Sequence, residues 1–183
     1  MKGYVTPILV WSMACAPLLC AICKLPRRFY LGGAGAFALT AVAAYIAAIG
    51  YGLRLTENLT ASLDGHVYLH RPGVPLRRGD LVAFRWPGGA SYPPGAIFIK
   101  RVVGLPGDRI ERVGNAFWVA ERYVGLAKPT SRAGIPLMPA PAGTIPAGEY
   151  FVATQNVDSL DSRYALAGNV KHVQILGRAY ELF

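Results

Sequence analysis

Two long stretches without a charged residue constrain what the first part of this chain can fold into. Residues 4–23 and 29–53 contain no Asp, Glu, Lys or Arg, and they are 20 and 25 residues long. A helix needs about 20 apolar residues to cross a hydrocarbon core of about 30 Å. We therefore expect residues 1–53 to form two transmembrane helices.

The short segment between these stretches predicts their orientation. Residues 24–28 contain three basic residues and no acidic one, and short basic loops stay on the cytoplasmic side of a membrane. We therefore expect residues 54–183 to form a domain on the periplasmic side of a bacterial inner membrane. A cleaved signal peptide at the N-terminus is the alternative, but the basic cluster follows the first apolar stretch instead of preceding it.

The segment 54–183 is predicted to be one mainly β domain. Short runs rich in β-branched and aromatic residues alternate with Pro-Gly, Gly-Gly and Gly-Asn turns, a pattern typical of β-sheet proteins. Residues 122–148 contain five Pro and four Gly, so we expect an irregular loop or cap there. The predicted strands are residues 66–69, 80–85, 96–103, 109–113, 116–119, 149–153 and 170–180.

A serine and a lysine in this domain have the surroundings that covalent catalysis needs. Ser62 lies within residues 58–65, and Lys100 follows 38 residues later at the end of an apolar run. A serine that attacks a carbonyl needs a base to accept its proton, and a lysine can serve only when the fold keeps it neutral. A lysine pKa near 10.4 must then fall by roughly 3 units, which burial can achieve.

The sequence blocks around these two residues, in their order along the chain, resemble the conserved boxes of the type I signal peptidase family. The blocks are residues 58–65, 78–84, 100–108 and 158–164. Within that family the chain most resembles the TraF-type peptidases of conjugative transfer systems, through Asn58, Thr60, Ser62, Gly65 and Tyr68. The resemblance implies a partly open β-barrel domain, anchored by two N-terminal transmembrane helices. It also implies a membrane-bound serine endopeptidase that cleaves signal or leader peptides, with Ser62 as nucleophile and Lys100 as base.

The resemblance assigns supporting roles to residues near this dyad. Thr60 matches the position whose hydroxyl helps the Ser62 N–H to hold the oxyanion. Ser159 and Ser162 are both candidates to hydrogen-bond the Lys100 amine, and the resemblance favours Ser159.

Charged residues of the last block have two further expected roles. Asp161 and Arg163 are expected to form a buried ion pair that fixes the floor of the site. An acidic residue has a catalytic part in TraF-type enzymes, and either Asp158 or Asp161 could take it.

Other chemistries fit the sequence less well. A triad of Ser62 with His66 would leave the Lys100 block without a purpose, and His66 and His70 have only His172 as a further histidine for a metal site. All three cysteines lie in the first apolar stretch, so no disulfide is expected in the β domain. We expect no metal and no cofactor. Despite a net charge of +9, the chain lacks the interleaved aromatic and basic residues of a nucleic-acid groove.

The substrate is expected to be a membrane-associated precursor. Only 46 residues separate Asp108 from Gln155, so the chain lacks the large extra domain of many housekeeping signal peptidases. We expect maturation of a precursor such as a pilin of a conjugation or type IV secretion system. A general housekeeping signal peptidase is one alternative, and a non-catalytic membrane-anchored β module of a secretion complex is another. The sequence leaves open the oligomeric state and whether the acyl group passes to water or to a substrate amine.

Overall fold

The N-terminal part of the fold is an apolar helix. The computed structural model describes residues 27–57, 62–89 and 92–183, and helix α1 (Arg27–Gly50) opens this part of the chain. Its segment Gly32–Gly50 has a mean hydropathy of 1.7 and is long and apolar enough to cross a membrane. This helix coincides with the predicted second span, whereas the predicted first span lies outside the described residues. Arg27 and Arg28 were predicted in the basic loop; they begin the helix instead, because arginine is a good helix former.

The chain after the helix folds into two antiparallel sheets. The strands are β1 (Arg54–Glu57), β2 (Val67–Arg71), β3 (Leu81–Arg85), β4 (Ile97–Gly104), β5 (Arg109–Val113), β6 (Ala116–Val119), β7 (Arg122–Leu126), β8 (Gly143–Thr144), β9 (Glu149–Ala153), β10 (Val170–Lys171) and β11 (Ile175–Glu181). The larger sheet has the order β1-β2-β11-β3-β4-β9-β10, and the smaller has the order β7-β6-β5-β8. The domain is therefore mainly β, as predicted.

The prediction of an irregular segment over residues 122–148 is wrong in part. Strand β7 occupies Arg122–Leu126 and pairs with β6, and the two-residue strand β8 pairs with β5. Gly125 weakens the sequence signal, but its φ of 137° and a shift in register let β7 bend without leaving its partner. Local composition suggested a loop, and the pairing with β6 overrides it.

The prediction of one strand over residues 170–180 is wrong in part. A 3₁₀ turn at His172–Gln174 divides this segment into β10 and β11. The turn is stabilised by the Gln174 side chain, whose Oε1 accepts a hydrogen bond from the Lys171 N–H at 2.8 Å. A local side-chain bond of this kind competes with strand pairing.

Strands β3 and β4 are buried on both faces of the larger sheet. Alternate residues of a strand face opposite sides. One face carries Val82 and Val102 in an apolar cluster with Val152, whereas the other carries Ala83 and Ile99. A third cluster, around Phe117 and Phe151, joins the smaller sheet to β9. A side chain in the middle of β4 is therefore surrounded by apolar groups.

We predict that acid destabilises the domain through His70. This side chain is only 4% exposed, its Nδ1 has no hydrogen-bond partner among the described residues, and Arg54 lies opposite it on β1. From β11, Ala179 faces His70 in register, and Glu181 pairs with Tyr68 two residues away. Burial, and secondarily Arg54, hold the pKa of His70 below its ordinary value.

Because the folded state disfavours the imidazolium, unfolding takes up a proton. The stability contributed by neutral His70 is present above about pH 6.5 and is lost as pH falls through that value towards the folded-state pKa. Chemical denaturation as a function of pH should show that the free energy of unfolding falls less in acid for His70→Leu than for the wild type. His172→Leu, at an exposed position, is the matched control and should lose as much unfolding free energy in acid as the wild type. An equal loss in His70→Leu and the wild type would contradict the prediction.

Candidate active site

Lys100 occupies a buried position in the middle of β4. It lies opposite Val82 on β3, and the residue is only 4% exposed. Its Nζ lies 5.6 Å from the ring centroid of Phe98, two residues earlier on the same face of the strand. The apolar run before Lys100 thus forms a strand whose buried face includes the lysine itself.

The burial of Lys100 changes its acid–base chemistry. Loss of solvation lowers the pKa of Lys100 from its ordinary value to about 8, an effect that Asp161 opposes and Arg163 reinforces. A lysine with this pKa is partly neutral near physiological pH. The amine can therefore accept a proton, as a general base requires.

The ion pair expected between Asp161 and Arg163 is present close to Lys100. Arg163 donates from Nε to Asp161 Oδ1 and from Nη2 to Asp161 Oδ2, each at 2.8 Å. Both residues are 1% exposed. The remaining Arg163 donors bond backbone carbonyls, with Nη1 to Leu126 at 3.0 Å and Nη2 to Asn156 at 3.1 Å. The guanidinium therefore joins β7 to the segment that follows β9.

The two candidate serines near Lys100 differ in their bonding. Ser162 Oγ accepts a hydrogen bond from the Val152 N–H at 3.0 Å, so β9 already engages this hydroxyl. Ser159 Oγ is buried and has no hydrogen-bond partner among the described residues. The hydrogen bond predicted from either serine to the Lys100 amine is accordingly not formed in this structure, and only Ser159 has a hydroxyl without another partner.

The two candidate carboxylates lie in different surroundings. Asp158 forms ion pairs with Lys128 and, at 3.3 Å, with Arg132 at the surface. The hydrogen bond from Lys128 holds the pKa of Asp158 below its ordinary value. Asp161, in contrast, is buried and acts electrostatically on Lys100. The structure thus places Asp161, and not Asp158, within the surroundings of the lysine.

Ser62 lines a cleft of about 680 Å³ next to this region. The cleft is also lined by β4, by the end of β9 with the residues after it, and by the β6–β7 hairpin. Arg101 lines this cleft, whereas its neighbour Lys100 does not. Convergence of Ser62 with Lys100 stays a prediction, and Thr60 lies outside the described residues.

Tyr68 and the end of the chain hold the loop after Ser62, a contribution that sequence reasoning missed. The Gly65 N–H donates to Tyr68 Oη at 3.1 Å, and the N–H groups of His66 and Val67 donate to the Phe183 carbonyl at 2.8 and 2.9 Å. A Cβ at Gly65 would lie 2.6 Å from Tyr68 Oη. The available signal was the pairing of Gly65 with Tyr68 in one motif, without any indication of the contact.

The described residues contain no cluster of three or more His, Cys, Asp or Glu side chains that could hold a metal ion. The arrangement offers acid–base chemistry from a buried amine and a cleft that can receive an extended peptide.

Comparisons with known proteins point to one family. A family model described as signal peptidase, peptidase S26, matches residues 33–183. Signal peptidase I of Pseudomonas aeruginosa is 32% identical, over 58% of this chain and 49% of the relative. Signal peptidase I U of Bacillus subtilis is 29% identical, over 48% of each. The chain spans about half the length of these curated relatives.

A solved structure of a signal peptidase I from Enterococcus faecalis V583 is 24% identical, with a TM-score of 0.38, and the match covers 57% of this chain and 97% of the other. The family model covers most of the chain, including both blocks that hold Ser62 and Lys100. The chain therefore belongs to the signal peptidase family, peptidase S26.

Proposed function

We propose that this chain is a membrane-bound serine endopeptidase that cleaves signal or leader peptides with a Ser62–Lys100 dyad. The observation that carries the proposal is the burial of Lys100 in an apolar sheet face, which lowers its pKa to about 8. A lysine with a purely structural role gains nothing from such a position, because burial of its charge is unfavourable. A lysine that acts as a general base does gain from burial, because burial lowers its pKa and leaves part of the amine neutral.

The proposed reaction proceeds through an acyl-enzyme. Neutral Lys100 accepts the Ser62 proton, the serine oxygen attacks the scissile carbonyl, and the Ser62 N–H with the Thr60 hydroxyl holds the oxyanion. Protonated Lys100 then gives its proton to the leaving amine. Water, or a substrate amine, releases the acyl group from Ser62.

Three neighbours are proposed to position the lysine. The paired charges of Asp161 and Arg163 provide a fixed electrostatic environment, since their two hydrogen bonds leave little freedom of movement. Ser159 is the proposed partner of the Lys100 amine, because its buried hydroxyl has no other hydrogen bond among the described residues. Asp161 is the acidic residue proposed to contribute to catalysis, and Asp158 instead ties the loop to Lys128.

The dyad predicts that substitution of either member abolishes cleavage. Ser62→Ala removes the nucleophile and Lys100→Ala removes the base, so each should lower kcat/KM by at least about 100-fold. Lys100→Arg should fail equally, because a guanidinium stays protonated and cannot accept the serine proton. Cleavage of a precursor by the purified chain is the measurement. Lys171→Arg, at an exposed lysine, is the control and should retain activity, whereas substantial activity in Lys100→Arg would remove Lys100 from the mechanism.

The proposal also predicts that Lys100 lowers stability at neutral pH. A folded-state pKa of about 8 means that folding disfavours the ammonium. The stability associated with the neutral amine is therefore complete above about pH 10.5, is lost as pH falls towards about 8, and stays lost below it. The difference is about 3 kcal/mol at 1.36 kcal/mol per unit.

Replacement of Lys100 by an apolar residue of similar length should therefore stabilise the inactive protein. Lys100→Met should raise the free energy of unfolding at pH 7 by about 1–3 kcal/mol, measured by denaturant titration. The gain should disappear above about pH 10.5, where the wild-type amine is neutral in both states. Lower stability of Lys100→Met at pH 7 would contradict the burial penalty.

The proposed location is the bacterial inner membrane, with the β domain on the periplasmic side. The apolar helix α1 supports membrane attachment. The proposed substrate is one precursor, or a few, of a conjugation or type IV secretion apparatus, with a pilin as the leading candidate. The short segment between Asp108 and Gln155 supports this narrow role. A housekeeping signal peptidase fits the family membership equally well.

Deletion of the gene distinguishes the dedicated role from the housekeeping role. If the enzyme is dedicated, growth and bulk secretion should stay normal, conjugative transfer or pilus assembly should be blocked, and one uncleaved precursor should accumulate. The accumulated precursors can be identified by mass spectrometry of membrane fractions. Arrested growth with many unrelated preproteins uncleaved would establish the housekeeping role instead. Restoration of processing by the Ser62→Ala variant would favour the non-catalytic module.

A further inference from the structure

The cleft that contains Ser62 has an arginine, Arg122, whose side chain has neither an ion pair nor a hydrogen bond among the described residues. Three arginines line this cleft: Arg78, Arg101 and Arg122. Arg78 is paired with Asp108 at 2.7 Å. The Arg122 side chain makes no ion pair or hydrogen bond with any described residue. Arg122 can therefore meet a charged group of a molecule that enters the cleft.

The other charges of the cleft are grouped around Tyr68. Burial raises the pKa of the Tyr68 hydroxyl, the charges of Glu181 and Asp64 raise it further, and the charge of Arg101 opposes the rise. The Arg101 guanidinium also donates to the Gly79 carbonyl at 2.7 Å. Of the three arginines on the cleft wall, Arg78 has an ion pair and Arg101 has a backbone hydrogen bond, and Arg122 has neither among the described residues.

The backbone before Arg122 is held in an unfavourable conformation. Ala120 and Glu121 have φ values of 47° and 64°, and they are the non-glycine residues with positive φ in the described part of the chain. Hairpin turns of two residues with this geometry normally use Asn-Gly, because other side chains are strained there. Strain of this kind is retained most often at functional sites.

The turn places Arg122 and Tyr123 on the wall of the cleft. Arg122 pairs in register with Val119, and Tyr123 pairs with Trp118. The Tyr123 and Trp118 ring centroids lie 5.4 Å apart. This aromatic contact supports β7 immediately after the strained turn, so the position of Arg122 is set by a short, firmly paired hairpin.

We propose that Arg122 is a specificity-determining residue that binds an acidic side chain of the precursor polypeptide. A guanidinium presents paired N–H donors that match a carboxylate, and a partly enclosed cleft strengthens this attraction relative to open solvent. The proposal rests on the proposed peptidase function. The recognised residue is an Asp or Glu at one position near the cleavage site.

A charge-swap experiment tests the proposal. The full chain in detergent micelles is given a neutral parent peptide that contains the cleavage site, and a series in which one flanking residue at a time is Glu, Ala or Lys. The readout is the ratio of kcat/KM for the Glu peptide to that for the Ala peptide. The variants are Arg122→Ala, Arg122→Glu and, as matched control, Arg112→Glu, an exposed arginine of the same small sheet that does not line the cleft.

At one position the wild type should prefer Glu over Ala by about 2- to 5-fold, as expected for a partly exposed ion pair. Arg122→Ala should remove that preference, and Arg122→Glu should prefer Lys at the same position. Arg112→Glu should behave as the wild type. The preference should also weaken with added salt.

Two results would overturn the proposal. One is a Glu-to-Ala ratio that Arg122→Glu leaves unchanged at every position. The other is a peptide-independent effect, in which phosphatidylglycerol vesicles activate the wild type but not Arg122→Glu, because Arg122 would then meet lipid headgroups instead of substrate. Cleavage of the neutral peptide by the wild type and not by Ser62→Ala tests the peptidase function separately from the role of Arg122.

Discussion

Burial of one amine, that of Lys100, is the constraint on which the candidate active site depends. Lys100 interrupts an apolar face formed by Val82, Val102 and Val152, where a purely structural protein would place another apolar side chain. The loss of solvation lowers the pKa of the amine and makes it available as a base. The same position costs folding free energy near neutral pH, so reactivity and stability oppose each other at this residue.

The surroundings of Lys100 are held by a buried hydrogen-bond network centred on Arg163. This guanidinium bonds Asp161, the Leu126 carbonyl of β7 and the Asn156 carbonyl after β9. Asp161 in turn accepts the Thr154 N–H at 3.3 Å. Because Thr154 and Asn156 line the cleft, the ion pair connects the surroundings of Lys100 with the wall of the cleft. Removal of either partner of such a pair would leave the other as an uncompensated buried charge.

The sequence predicted the central strands of the larger sheet better than it predicted β7 or the contacts between side chains. Short runs rich in β-branched and aromatic residues identified β3, β4 and β9, since strands that pack on both faces are apolar along most of their length. Strand β7 was missed because Gly125 and the prolines after it suggest a loop, and its pairing with β6 is a tertiary effect. The apolar run before Lys100 and the resemblance to signal peptidases together predicted that this lysine is buried. The contact of Arg163 with Leu126 joins residues 37 positions apart, so no local pattern could reveal it. Gly65 and Tyr68 stand in one motif, but the motif does not show that they touch.

The pH dependence of cleavage tests most directly whether a neutral lysine drives the reaction. We would measure kcat/KM of the purified chain on a peptide without titratable side chains, from about pH 6 to about pH 10. A lysine base predicts a single ionisation on the acid limb, with activity rising through a midpoint of about 8. A rise centred near about 6.5, the ordinary pKa of histidine, or a flat profile through this range would contradict the account.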